Sequence, residues 1–258
     1  MPFVKAGDIQ IHYQEKGNGP EAILFIHGNI GSWRWWEKVM DLLTEEYRSF
    51  ALDSRGCGFT DKPETGHSIR QFADDVEAFA QALNINQFTL VGHSLGGGTA
   101  MQYAIAYPHR VKRLILLDPV PAEGLVIPEE FHPLFKQWQE DKESLKEALK
   151  GTAPTYSYNE FFDQLVEEAF TASKQVFEGN IKALAEMDVS GHLREITAPA
   201  LVIWGELDNW SPLDGIQRIH QAIPGSRLEV VPGVGHSLNV ENPKRFVDLV
   251  TDFCKTTQ

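Results

Sequence analysis

The chain has 258 residues, 42% of them hydrophobic and 23% charged, with a formal net charge of −13. That length buries roughly three quarters of the unfolded surface, so a single α/β domain can hold a large core without covalent staples. The acidic balance argues against nucleic acid, which needs clustered Lys and Arg, and against an anionic membrane surface; it leaves room for a small-molecule substrate of either charge.

Met1–Asp8 lacks the apolar stretch of a signal peptide, and no apolar run is long enough to span a bilayer, so a cytoplasmic location and no membrane partner are expected. Ile9, Ile11 and Tyr13 alternate with Gln10, His12 and Gln14, and Gly7-Asp8 before them predicts an opening antiparallel hairpin. Ala22–Ile26 is a continuous apolar run, the pattern of a strand buried on both faces. Ser32 is placed to cap a helix carrying Trp33, Trp36, Val39, Met40 and Leu43. Ser49–Leu52 reads as a strand ending at Asp53, and Phe72, Val76, Phe79, Ala80 and Leu83 as a helical stripe. Phe88–Val91 and Val111–Leu117 are further strands. From Val120 the rhythm changes: Phe131, Leu134, Phe135, Trp138, Leu145 and Leu149 form one helical stripe, and Phe162, Leu165, Val166, Ala169 and Phe170 another. Strands resume at Ala200–Gly205 and Arg227–Val231, and a last helix carries Phe246, Val247, Leu249, Val250 and Phe253. Buried strands alternating with amphipathic helices predict a mostly parallel sheet covered on both faces. The expected division is an α/β core at 1–119 and 192–258 with a helical lid inserted at 120–191.

Gly92-His93-Ser94-Leu95-Gly96 lies between a strand and a helix and reads as a nucleophile elbow, a strained turn that exposes a serine hydroxyl. A serine needs a base to take its proton, and the base needs an acid to orient it. His236, on the turn Gly233–Ser237 after the last strand, is the candidate base; Asp208, three residues past Gly205, is the candidate acid. A parallel sheet gathers such residues at the carboxyl edge of its strands. Cys57 and Cys254 read as free thiols, and neither they nor the nine histidines show metal-ligand spacing, so no metal and no cofactor are expected.

Together these motifs resemble the α/β-hydrolase superfamily, in its small form with a helical lid. The matching motifs are His27-Gly28-Asn29, Asp53-Ser54-Arg55-Gly56-Cys57-Gly58-Phe59-Thr60-Asp61-Lys62-Pro63, the elbow, Gly205-Glu206-Leu207-Asp208 and Gly235-His236. They cover nearly everything except residues 120–190. The resemblance implies the catalytic order Ser94, Asp208, His236 and an oxyanion hole made by the N–H groups of Leu95 and Asn29. It also makes Asp118 a rival acid, because some relatives place the acid after that strand. A serine rather than an aspartate at position 94 removes direct attack on haloalkanes or epoxides. Asp53, Arg55 and His27 read as loop braces, and Trp210 and Leu238, flanking acid and base, as substrate-binding residues. Ser211-Pro212 is placed to cap the following helix, leaving Asp208 free.

The expected function is therefore a cofactor-independent serine hydrolase of a small to medium, largely apolar ester or lactone. Alternatives are a carbon–carbon bond hydrolase of a diketone-type substrate, a cofactor-free perhydrolase, and a non-enzymatic ligand receptor on the same fold.

Overall fold

The computed structural model describes residues 2–43 and 46–257. Strands β1 (Phe3–Ala6) and β2 (Ile9–Lys16) form the expected hairpin, turned at Gly7 with φ +58°. There follow β3 (Glu21–Ile26), a 3-10 turn at Trp33–Trp36 running into α1 (Glu37–Leu42), and β4 (Tyr47–Leu52). Next come α2 (Ile69–Ala82), β5 (Phe88–His93), α3 (Leu95–Ala106) and β6 (Val111–Leu117). Four helices then intervene: α4 (His132–Glu140), α5 (Lys142–Thr152), α6 (Glu160–Phe170) and α7 (Lys174–Glu186). The chain ends with β7 (Ala200–Gly205), α8 (Leu213–Ala222), β8 (Arg227–Val231), α9 (Leu238–Glu241) and α10 (Pro243–Thr256).

The eight strands make one sheet in the order β1-β2-β4-β3-β5-β6-β7-β8. From β4 to β8 all neighbours are parallel; β1 with β2, and β2 with β4, are antiparallel. Alternate strand residues feed two cores, as a period of two requires. Leu24, Leu90 and Leu116 pack with Phe79 and Tyr103 on one face, whereas Phe25, Val91 and Ile115 pack with Trp36 and Phe246 on the other. Among the described residues no helix is long and apolar enough to cross a membrane.

The segment between β6 and β7 has its own apolar cluster, in which Leu145, Leu149, Phe162, Leu165 and Phe177 close over Ile30 and Trp35 of the core. The stripe expected to run from Phe131 to Leu149 is two helices: Asp141 ends the first and caps the second, its Oδ1 accepting the Glu143 N–H at 3.0 Å. Helix α7 had no reading of its own in the sequence, yet it buries Val176, Phe177, Asn180 and Leu184. Ser32 does cap its turn, accepting the Arg34 N–H at 3.3 Å. His12 is fully buried, bonded through Nδ1 to Asp53 at 2.7 Å.

Candidate active site

Ser94 follows β5 with φ +55° and ψ −119°, a backbone conformation that is costly for any residue with a Cβ. Its N–H donates to the Leu117 carbonyl at 3.0 Å, and its own carbonyl accepts the Gly97 N–H at 2.8 Å. The flanking glycines are steric requirements. A Cβ on Gly92 would stand 2.2 Å from the Gly96 carbonyl oxygen, and one on Gly96 would stand 2.5 Å from that of His27. The turn therefore clamps α3 against the end of β3.

Asp208 sits in the turn after β7, held by its N–H on the Gly205 carbonyl at 2.9 Å. Its two carboxylate oxygens divide the work. Oδ1 accepts the N–H groups of Trp210 (2.7 Å) and Ser211 (3.2 Å), and Oδ2 meets His236 Nδ1 at 2.8 Å. The carboxylate places the proton on Nδ1 and leaves the Nε2 lone pair free. Ser211 is not the cap expected of it: α8 takes Pro212 as its N-cap, and the Ser211 hydroxyl donates to the Asp118 carbonyl at 3.0 Å. Asp118, the rival acid, lies beside Asp208, with one donor atom from each of Asp118, Asp208 and His236 inside a 4.8 Å cluster. The hydrogen bond to His236 Nδ1 comes from Asp208.

Asn29 and Leu95 stand on either side of Ser94, one on the loop after β3 and the other at the first residue of α3. Among the described residues neither N–H has a partner within the protein, and both residues line the same cavity as Ser94 and His236. The loop carrying Asn29 is braced from below. His27 donates from Nδ1 to the Gly28 carbonyl at 2.7 Å and accepts the Ser54 N–H on Nε2 at 2.9 Å. Nε2 therefore acts as an acceptor, and burial holds this imidazole below its ordinary value. Asp53 accepts the N–H groups of Trp33 and Phe59, and Arg55 is buried against Asp75 and Asp8. These are structural bonds, in keeping with the reading of all three residues as braces.

Two residues near the site carry roles that the sequence did not suggest. His93 donates from Nε2 to the His236 carbonyl at 2.8 Å, with the ring centroids 4.8 Å apart, and so ties the elbow to the turn of the candidate base. Burial and the adjacent His236 hold His93 well below the ordinary histidine value. Glu241 bridges two loops, accepting the Gly235 N–H on Oε1 (2.7 Å) and the Thr155 N–H on Oε2 (2.9 Å). Neither had a signal in the sequence, because each joins segments that only the folded sheet brings together.

The cavity measures about 850 Å³ including its open mouth. Leu125, Ile127, Phe135, Trp138, Leu145 and Leu149 make its apolar wall. Beyond Ser94 and the two histidines, its polar side chains are Asn29, Thr152 and Ser211, besides the indoles of Trp35, Trp138 and Trp210; among the described residues no Lys, Arg, Asp or Glu lines it. Trp210 lies in this wall, its Nε1 donating to the Gly151 carbonyl at 3.2 Å. Leu238 does not. It is fully buried in the core with Trp36 and Phe246, because α9 turns its apolar face toward the sheet. The tryptophans divide likewise: Trp35 reaches the cavity and Trp36 the sheet core. Cys57 is buried under the lid helices, away from the cavity, and burial pushes its thiol up.

A 2-hydroxy-6-oxo-2,4-heptadienoate hydrolase of Pseudomonas putida is 29% identical to the chain, across 97% of this chain and 95% of the relative. Among solved structures, an esterase from Exiguobacterium antarcticum matches with a TM-score of 0.90 and 25% identity, covering 98% of each chain. Est816, described as an N-acyl homoserine lactone degrading enzyme, matches with a TM-score of 0.84 and 28% identity, covering 98% of this chain and all of its own. The family described as alpha/beta hydrolase fold matches residues 21–165 and 146–243, and with the sheet, the elbow and the loops around it in place, the chain belongs to that family of enzymes.

Proposed function

We propose that the protein is a serine hydrolase of an uncharged, largely apolar carboxylic ester or lactone. Ser94 attacks the carbonyl carbon while His236 Nε2 takes its proton. Asp208 keeps the imidazole in that tautomer and balances the imidazolium that forms. The Leu95 and Asn29 N–H groups receive the oxyanion of the tetrahedral intermediate. His236 then protonates the leaving alkoxide and, in the second half, activates water to release the acyl group.

The observation that carries the substrate class is the uncharged cavity wall. A carboxylate buried there meets no counter-ion, which costs several kcal/mol even after relaxation. A second reading is hydrolysis of a carbon–carbon bond in a diketone-type substrate, favoured by the Pseudomonas putida relative, whose named substrate is a dienoate. It uses the same three side chains.

Intact-mass analysis after exposure to a fluorophosphonate, wild type beside Ser94→Ala, tests the nucleophile. The expected result is one adduct in the wild type and none in the variant. In parallel, p-nitrophenyl butyrate should be cleaved with a kcat/KM at least about 100-fold above the p-nitrophenyl monoester of succinate, from the cost of the buried anion. A diketone turned over faster than any ester would favour the carbon–carbon reading. The absence of both adduct and turnover in folded protein would refute the hydrolase reading.

A further inference from the structure

Asp118 is an acidic side chain that the proposed reaction does not use, lying against one that it does. It follows β6 with φ +43°, a left-handed conformation for a residue with a Cβ, and is completely buried. Oδ1 accepts the Gly205 N–H at 2.8 Å. Oδ2 has no donor to accept from among the described residues. Its neighbour Asp208 is already committed, Oδ1 to two backbone N–H groups and Oδ2 to His236. Two ionised carboxylates side by side in the interior, with one imidazole bonded to only one of them, repel each other and lose their hydration. A cation fits the cluster poorly, because three of the four carboxylate oxygens already accept N–H groups. A proton fits it well.

We propose that Asp118 carries a proton on Oδ2 and donates it to the carboxylate of Asp208, which makes Asp118 a positioning residue for the Asp208–His236 pair. The proton gives the orphaned oxygen a partner and gives Asp208 a donor beyond those it has. The groups that face Asp118 agree with this. Burial pushes it well above the ordinary carboxylate range; Asp208, from the turn after β7, acts in the same direction, as does Glu241 of α9. The Gly205 N–H acts against them. His236 directs its own N–H to Asp208 instead. With the pair holding a single negative charge, Asp208 remains the anion that orients the imidazole, and the added donor fixes its carboxylate in place.

The role in turnover rests on the hydrolase reading; the location of the proton does not, and two measurements keep them apart. The first is the infrared difference spectrum between wild type and Asp118→Asn at pH 7. The expected result is a protonated-carboxyl C=O stretch in the wild type that vanishes in the variant. A wild type without that band, or a band that survives Asp118→Asn, overturns the proposal whether or not the enzyme turns over. The second is the pH profile of kcat/KM for p-nitrophenyl butyrate. Asp118→Ala removes the donor and should lower kcat/KM at least about tenfold, with the acid limb moving up by about one pH unit because the imidazolium of His236 then faces a carboxylate whose charge is no longer shared with a donor. Asp118→Asn, whose amide can replace the O–H donor, should restore most of that loss and the limb. Equal impairment in Asn and Ala, with no movement of the limb, would overturn the positioning role. If Asp118→Ala does not fold, the infrared comparison decides, since it needs only the isosteric variant.

Discussion

Gly96→Ala probes the part of the site that depends on backbone alone. The added methyl would lie 2.5 Å from the His27 carbonyl oxygen and 2.6 Å from that of Ile26, both backbone atoms at the end of β3. Real Cβ contacts stop near 3.0 Å, so α3 and the β3 loop must separate by about 0.5 Å or more. That movement parts the two halves of the proposed oxyanion hole, since Leu95 begins α3 and Asn29 follows β3. Misplacement by about 1 Å costs roughly 100-fold, and losing one donor outright costs about 10²–10³. The expected loss in kcat is therefore about 10–100-fold, with KM for p-nitrophenyl butyrate nearly unchanged, because the oxyanion forms only in the transition state. Overpacking of this kind costs about 1–3 kcal/mol, a fall in melting temperature of several degrees. Steady-state kinetics and a thermal melt on one preparation read both effects. A folded variant with wild-type kcat would refute the assignment of Leu95 and Asn29 as the oxyanion donors.

Three further outcomes are expected. Asn180→Ala removes the donor that holds Asn29 Oδ1 at 2.8 Å and should lower kcat about tenfold, about the worth of one hydrogen bond, in the same assay. Arg55→Met leaves Asp75 buried without its cation and should cost about 3–5 kcal/mol in urea denaturation; adding Asp75→Asn should recover much of it. Asp118→Asn should gain stability over the wild type as pH rises. A carboxyl whose folded value is raised contributes stability that is complete below the ordinary carboxylate range and is lost as pH climbs toward the folded value, at up to about 1.4 kcal/mol per pH unit. Urea midpoints of both proteins at pH 5 and pH 8 measure the divergence, and parallel midpoints would contradict it.

The strands and the loops after them were legible because their constraints are local. A buried parallel strand must be continuously apolar, and Gly92 and Gly96 must lack a Cβ, so both leave a mark in the sequence wherever the chain goes next. Asp208 and His236 could be placed because each follows a recognisable strand. Leu238 misled for a related reason. Its place beside His236 in sequence says nothing about which way a short helix turns, and α9 turns it inward against Trp36 and Phe246. Asn180, Glu241 and His93 were illegible because each acts through a segment remote in sequence: Asn180 on Asn29, Glu241 on Thr155 and Gly235, His93 on the His236 carbonyl. No periodicity or spacing encodes such pairings. They follow from the order of strands in the sheet and from the docking of the lid helices.

That division also separates chemistry from selectivity. Ser94, Asp208, His236, Asn29 and Leu95 all stand on loops or helix starts at one edge of the sheet, whereas the apolar wall from Leu125 to Leu149 comes from the segment between β6 and β7. The two parts are joined by polar bonds at chosen points. Glu168 of α6 accepts from the Ser32 hydroxyl at 2.5 Å and from Arg34 Nε at 2.7 Å; Asn180 of α7 holds Asn29; and Thr155 donates to the same Glu241 that holds the loop of His236. Each fastener lands on a loop bearing, or next to, a proposed catalytic group. A change in the lid therefore reaches the reaction by two routes, altering the wall that the substrate meets and loosening the loops that hold the oxyanion donors and the base. An apolar wall residue such as Phe135, which lies outside the cluster packed on Ile30 and Trp35, acts by the first route, so exchanging it for another apolar side chain changes which acyl group fits while leaving the geometry of bond cleavage in place.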